Sequence, residues 1–294
     1  MKRLKQFAYH EPSTLAEAIV ALANGGETAR VLAGGTDLIV DMKIERLPTT
    51  AVVNIKRIPG LSGIDDLGDA TRIGALTKVT AVEESPLVQE RHPALAQAAA
   101  ILASPPVRAL ATIGGNVGRA SPASDLGPAL VVSDAIARIE GTAGRREIPV
   151  EDLYVGPGQT SLACSDIITE FIVPEPPIGF GSAHVKLGKR GSGTDIAMAG
   201  ASASIVLGEG VVADCRVALA SLGPTPFRAA RAEEALRSRK PTEESLHAAA
   251  VVAAEEAMPI GDIRASASYR TTLAQVLTLR ALRAAASSAQ GGAP

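Results

Sequence analysis

The stretch Ala111-Thr112-Ile113-Gly114-Gly115-Asn116-Val117-Gly118-Arg119-Ala120-Ser121-Pro122-Ala123-Ser124-Asp125 is too polar, and too rich in glycine and serine, for a core element. It follows an alanine-rich helical pattern from Pro93 to Leu102 and precedes the apolar run Leu130-Val131-Val132. Paired glycines let a backbone approach a neighbour closely and leave amide N–H groups free to point at it. Thr112, Asn116, Ser121 and Ser124 add short hydrogen-bonding side chains. Two readings fit these residues. One is a loop wrapped around a polar anion, pyrophosphate first. The other is a long surface turn.

A second glycine pair lies upstream, in Val31-Leu32-Ala33-Gly34-Gly35-Thr36-Asp37-Leu38. A strand that runs into Gly-Gly-Thr and then a helical turn offers backbone N–H groups to an anion, although an ordinary strand-to-helix turn reads the same way. The spacing is not GxGxxG, and no Lys-Ser/Thr follows, so neither a Rossmann fingerprint nor a P-loop is present. Together, the two Gly-Gly stretches are suited to clasping the two phosphates of one dinucleotide. Asp125 closes the longer stretch, as an acceptor for a ribose hydroxyl or as a helix cap. Lys186, in His184-Val185-Lys186-Leu187-Gly188-Lys189-Arg190, is either a cation beside a phosphate or flavin, or part of a solvated charge run.

The 294 residues suggest about two domains. Apolar residues make up 46% and aromatics 2%, with no Trp, so Ala, Val, Leu and Ile must fill the core. A net charge of −2 points to neither nucleic acid nor an acidic membrane surface as partner. Cys164 and Cys215 form no CxxC pair, which argues against an in-chain iron–sulfur cluster or structural zinc. His10, His92, His184 and His247 have no metal spacing, no Ser sits in a GxSxG frame, and the Glu-Glu pairs read as helix surfaces. The N-terminus is basic without an apolar stretch behind it, and no window approaches 18 continuous apolar residues, so an unexported, cytoplasmic protein is expected. A binding apparatus without acid–base machinery suggests a cofactor that carries its own chemistry.

Along the chain, Ser13 with Glu17 marks a capped helix that ends at Asn24-Gly25-Gly26. Ala29–Ala33 and Val52–Ile55 read as strands, with a short helix at 38–44 between them. A hairpin is expected around Gly68-Asp69, a helix from Thr80, and strands at 129–133, 137–139, 146–148 and 167–173. Pro174-Glu175-Pro176-Pro177 marks a boundary. The last part starts at Ala183-His184-Val185-Lys186, with strands at 199–207 and within 211–222, then helices at 233–238, 243–257 and 268–286, and a polar tail at 287–294.

With these residues laid out, the sequence resembles the FAD-binding medium subunit of the molybdenum hydroxylases, the family of the xanthine dehydrogenase and aerobic carbon monoxide dehydrogenase flavoprotein subunits. Leu32–Leu38, Ala111–Leu126 and the segment Asp262-Ile263-Arg264-Ala265-Ser266-Ala267 with Tyr269-Arg270 carry the resemblance. It implies an α+β fold of the vanillyl-alcohol-oxidase type. FAD-binding subdomains would span 1–60 and 61–177, and a C-terminal domain with a small antiparallel sheet and helices 178–286. Val31–Leu38 and Thr112–Asn116 would wrap the pyrophosphate, Asp125 would hold the adenosine side, Ser121 would also belong to the cofactor site, and Ile168 and Lys186 would lie near the isoalloxazine. Leu102 stands where xanthine dehydrogenases tend to have an aromatic beside the flavin. Val117-Gly118-Arg119 departs from the small, uncharged stretch more usual there, so Arg119 either reaches a phosphate or faces solvent. Two cysteines are too few for the extra [4Fe–4S] cluster of 4-hydroxybenzoyl-CoA reductase.

The resemblance also implies partners: a small subunit with [2Fe–2S] clusters and a large subunit with the molybdopterin cofactor, in a heterotrimer or a dimer of heterotrimers. Electrons would pass from the clusters to FAD and on to NAD, a quinone or oxygen. The alternative is a self-sufficient flavoprotein oxidase or dehydrogenase of the same superfamily.

Overall fold

The computed structural model describes residues 3–190 and 195–291. The first helix, Leu15–Gly25, begins one residue later than the Ser13 reading implies. Thr14 is its N-cap, accepting from the Glu17 N–H, while the Glu17 carboxylate accepts from the Thr14 and Ser13 amides. Gly26, at φ +58°, ends it. The helix covers a three-stranded parallel sheet in which Ala51–Asn54 lies between Ala8–His10 and Ala29–Leu32. Ala18, Ile19, Leu22 and Val53 fill the space between helix and sheet.

A five-stranded antiparallel sheet follows, in the order Ile64–Asp66, Ala70–Gly74, Ile167–Pro174, Ile136–Gly141, Gly144–Pro149. Its two faces are sorted by the period of two. Ile73, Ala137, Ile139, Phe171 and Val173 point into the core under the helices. The other face carries a charge ladder across all five strands. Arg72 pairs with Asp65 at 2.7 Å and with Glu170, and Arg138 pairs with Glu170 at 2.9 Å and with Glu147 at 2.7 Å. Opposite charges on neighbouring strands also oppose register slips, which would place like charges together.

The third sheet orders Phe180–Gly188, Ala197–Gly208, Val211–Ala220 and Phe227–Arg228, all antiparallel. One face packs on the long helix Ala267–Ala289, whose buried Leu273, Ala274, Leu277, Ala281, Leu282 and Ala285 recur at helical spacing. Small residues let them meet closely: a Cβ on Gly181 would lie 2.3 Å from the Ala285 carbonyl oxygen. The opposite face docks on the rest of the chain through polar contacts. The Ser182 hydroxyl accepts from the Ala94 amide, Gln97 accepts from the His184 amide, and the Ser204 hydroxyl donates to the Val132 carbonyl.

Several sequence expectations need correction. The run at 129–133 is the helix Leu126–Val132, not a strand. All seven of its residues are buried, so no amphipathic period marks it. Short helices at Pro86–Arg91 and Pro105–Arg108 add to the expected elements; proline at the first helical position marks both. Tyr154–Gly156 and Gln159–Thr160 form a further hairpin. The terminal helix runs on to Ala289, into the expected tail; residues 292–294 of that tail lie outside the described residues, as do Met1 and Lys2 of the basic N-terminus. Among the described residues, no helix is long and apolar enough to cross a membrane.

Candidate functional site

The two glycine stretches come together in space. Gly34 sits against the backbone of the second stretch: a Cβ there would lie 2.3 Å from the Leu110 carbonyl oxygen and 3.0 Å from the Ala111 Cα. A Cβ on Gly115 would lie 4.0 Å from the Ala33 side chain. Gly35 has φ +77°, which turns the chain out of the strand and into the helix Leu38–Lys43.

The stretches differ in what their backbones have to offer. Thr112–Asn116 is not an open loop. It starts the helix Ile113–Gly118, with the Thr112 hydroxyl capping the Gly115 N–H at 3.1 Å. The Ile113 amide donates to Thr77, the Gly114 amide to Ala75, and the Asn116 amide to Thr112. Gly114 is needed because a Cβ would lie 2.8 Å from the Ala75 carbonyl oxygen. These amides are therefore committed to the fold, contrary to the reading of a cradle formed by this stretch. The first stretch is different: among the described residues, the amides of Gly34, Gly35, Thr36, Asp37 and Leu38 donate no hydrogen bond. Free backbone N–H groups in a tight turn are a binding surface for an anion such as a diphosphate. The free run at 34–38 is chemically suited to the diphosphate of a dinucleotide, and the helix bearing Gly115 and Asn116 stands beside it.

Beyond the helix the chain reverses at Ala120, a buried residue with φ +47°. Asn116 accepts from the Ser124 hydroxyl at 2.7 Å, and the Ser121 hydroxyl accepts from the Ala123 amide. Asp125 occupies the N-cap position of Leu126–Val132 without capping it; the Ser124 hydroxyl accepts from the Gly127 amide instead. The Asp125 carboxylate meets Lys186, at 2.9 Å, and the Lys186 ammonium also donates to the Ile101 carbonyl at 2.7 Å. The Lys186 side chain is 1% exposed, so it is not part of a solvated charge run. Burial pushes the Asp125 carboxyl up to about 6, and the Lys186 charge and hydrogen bond keep it from going higher. Two groups in direct contact cannot serve opposite ends of an extended dinucleotide. The division that gives adenosine to Asp125 and isoalloxazine to Lys186 therefore does not hold.

Leu102 and Ile168 are both buried. Leu102 directly follows the Ile101 carbonyl that Lys186 holds, and Ile168 lies under Gly118, its Cδ1 3.8 Å from where a Cβ would stand. Arg119 neither faces solvent alone nor stands free to reach a phosphate. Its guanidinium pairs with Asp41 at 2.9 Å. In the C-terminal signature, Arg270 is buried and joins Asp262 to the carbonyls of Met198 and Ser221. Its role there is to brace the third sheet. Among the described residues, no cluster of His, Cys, Asp and Glu could hold a metal.

The comparisons with known proteins bear on this geometry. Residues 5–176 match the family model described as the FAD binding domain in molybdopterin dehydrogenase, and 183–285 match the CO dehydrogenase flavoprotein C-terminal domain. The chain belongs to the FAD-binding medium-subunit family of the molybdenum hydroxylases. It is 35% identical to the carbon monoxide dehydrogenase medium chain of Hydrogenophaga pseudoflava, over 95% of this chain and 97% of that one. It is 32% identical to a putative xanthine dehydrogenase FAD-binding subunit of Escherichia coli, with 97% of both chains covered. A solved carbon monoxide dehydrogenase from Hydrogenophaga pseudoflava, lacking the Mo-pyranopterin moiety of its molybdenum cofactor, superimposes with a TM-score of 0.93 at 36% identity. That match covers 96% of this chain and 98% of the other. The family's members are oxidoreductase subunits, and their α+β architecture, an FAD-binding part followed by a C-terminal part with an antiparallel sheet, is the one described above.

Proposed function

We propose that this chain is the FAD-carrying electron-transfer subunit of a molybdenum hydroxylase complex. The free amide run of Gly34–Leu38, set against the second glycine stretch, is the observation that carries this reading. In it, Val31–Leu38 receive the diphosphate, and Thr112, Ile113, Gly114, Gly115 and Asn116 form a rigid wall beside it. Ser121 shapes the turn behind that wall. Leu102 and Ile168 supply the apolar surface of the flavin side. Asp125 and Lys186 work there as one pair, locking the third sheet to the helix Leu126–Val132. The reading places subdomains at 1–60 and 61–177 and the C-terminal domain at 178–286.

Bound FAD supplies a carrier for electrons, so the chain needs no acid or base of its own. The relatives' designation as medium chains supports the presence of partner chains. In this reading they are a small subunit with [2Fe–2S] clusters and a large one with the molybdopterin cofactor, together in the cytoplasm. The test is to purify the native complex and count flavin, iron and molybdenum per copy of this chain, then record the visible spectrum of the chain alone. One flavin per chain, retained by wild type and lost with Gly35→Asp, is expected. A chain supplied with excess FAD that shows no flavin absorbance sinks the proposal.

A further inference from the structure

Arg119 lies just after the helix Ile113–Gly118, and Asp41 lies on the helix that follows the first glycine stretch. The Asp41 carboxylate is nearly buried, with 8% of its side chain exposed, and takes Arg119 at 2.9 Å and Arg46 at 3.3 Å. The hairpin turn at Gly158, whose φ is +70°, lies close against Arg119. A Cβ there would stand 3.2 Å from the guanidinium. Asp37, within the free amide run, belongs to the same cluster. Desolvation raises its carboxyl above the usual range; the Arg119 charge opposes that, and the Asp41 charge adds to it. Two carboxylates therefore stand on and just after the segment proposed to receive a diphosphate; Arg119 pairs with Asp41, alongside Arg46, and its charge also reaches Asp37.

We propose that Arg119 is a positioning residue for FAD: through Asp41 it sets the spacing of the two glycine stretches and neutralises the acids beside the diphosphate. This rests on the FAD-site reading above. A diphosphate carries about two negative charges, and uncompensated carboxylates within several ångströms repel it, since like charges disfavour one another at that range. Arg119 removes this repulsion without touching the phosphate. The ion pair also ties the helix Leu38–Lys43 to Ile113–Gly118, so the free amides face a fixed partner surface rather than a swinging one.

The experiment is titration of FAD into the flavin-stripped full chain, followed by quenching of flavin fluorescence. Arg119→Gln is expected to raise Kd about tenfold or more, which corresponds to losing one charge-assisted interaction. Arg119→Lys, which keeps the charge, should stay within about threefold of wild type by the same affinity arithmetic. The deciding variant is Arg119→Gln combined with Asp41→Asn. Removing the acid along with its cation should restore at least threefold of the lost affinity, by the same arithmetic. A double variant that binds as weakly as Arg119→Gln would mean that Arg119 contacts the phosphate directly or only braces the fold, and would overturn the inference. Gly35→Asp separates the two levels. If it weakens binding and Arg119→Gln does not, the inference fails while the site stands. If Gly35→Asp has no effect, the site reading itself fails.

Discussion

Lys186→Met removes an ammonium that is 1% exposed and bonded at 2.9 Å to Asp125 and 2.7 Å to the Ile101 carbonyl. The substitution keeps the length of the apolar stem and leaves a buried carboxyl without its cation. Breaking one side of a buried pair costs about 3–5 kcal/mol. The pH dependence gives a sharper signature. In the wild type, burial holds the Asp125 carboxyl up at about 6, against 3.8 for an ordinary aspartate. A carboxyl whose folded pKa is raised favours the folded state most in acid. Its contribution therefore declines as pH rises from about 4 to about 6, and then levels off. Without Lys186 the folded pKa rises further, so the decline continues past pH 6. Each pH unit of that continued decline is worth about 1.4 kcal/mol. The stability gap between variant and wild type should thus widen by about that amount between pH 6 and pH 7. Urea unfolding of the flavin-free chain, followed by far-ultraviolet circular dichroism at pH 5, 6 and 7, measures it. Combining Lys186→Met with Asp125→Leu should recover more than half of the loss, because an apolar pair tolerates burial. A gap that stays constant across the three pH values, or lies below about 1 kcal/mol at pH 7, would refute the assignment of a coupled buried pair.

Gly34→Ala should be far more damaging than Gly115→Ala. At Gly34 the added Cβ meets backbone atoms at 2.3 and 3.0 Å that no rotamer change can move, whereas at Gly115 its close contact is the Thr112 hydroxyl at 2.9 Å. Thermal unfolding should show a loss of about 3 kcal/mol or more for the first and about 1 kcal/mol for the second, as overpacking and a weakened cap predict. Acid should destabilise the chain through its buried histidines. Burial, then the Arg91 charge, takes His92 down to about 4, and burial, then the Lys186 charge, takes His184 down to about 3. Their neutral forms stabilise the fold fully above about 6.5, and that contribution is lost as pH falls toward those values, at up to about 1.4 kcal/mol per unit for each. His92→Gln, which retains a polar group for Thr71, should show a shallower slope between pH 6.5 and 4; an unchanged slope would remove His92 from the account.

Much of the local structure was legible because it follows from neighbouring residues. The Glu17 cap, the glycine stop at Gly26 and the hairpin around Gly68 all rest on interactions within a few positions. The helix Leu126–Val132 was misread because a segment buried on every side has neither a period of two nor one of 3.6. The second glycine stretch makes the close backbone approach that its glycines suggest, but its sequence does not show that its amides are used within the fold. Its glycines admit Ala75 and a threonine cap, and its amides are satisfied inside the fold.

The sequence by itself determined the two glycine stretches, the shortage of aromatics that makes an alanine-rich core necessary, and the absence of metal-binding spacing. Those are matters of composition and short spacing. It could not show that Lys186 would meet Asp125, 61 positions away, or that Arg119 would meet Asp41. Such pairs depend on how the third sheet docks and how the chain reverses at Ala120, which no local pattern encodes. Only the tertiary structure places a charge where water is excluded. There a lysine that reads as part of a solvated run becomes a fixed counter-ion, because burial makes an unpaired charge too unfavourable to keep.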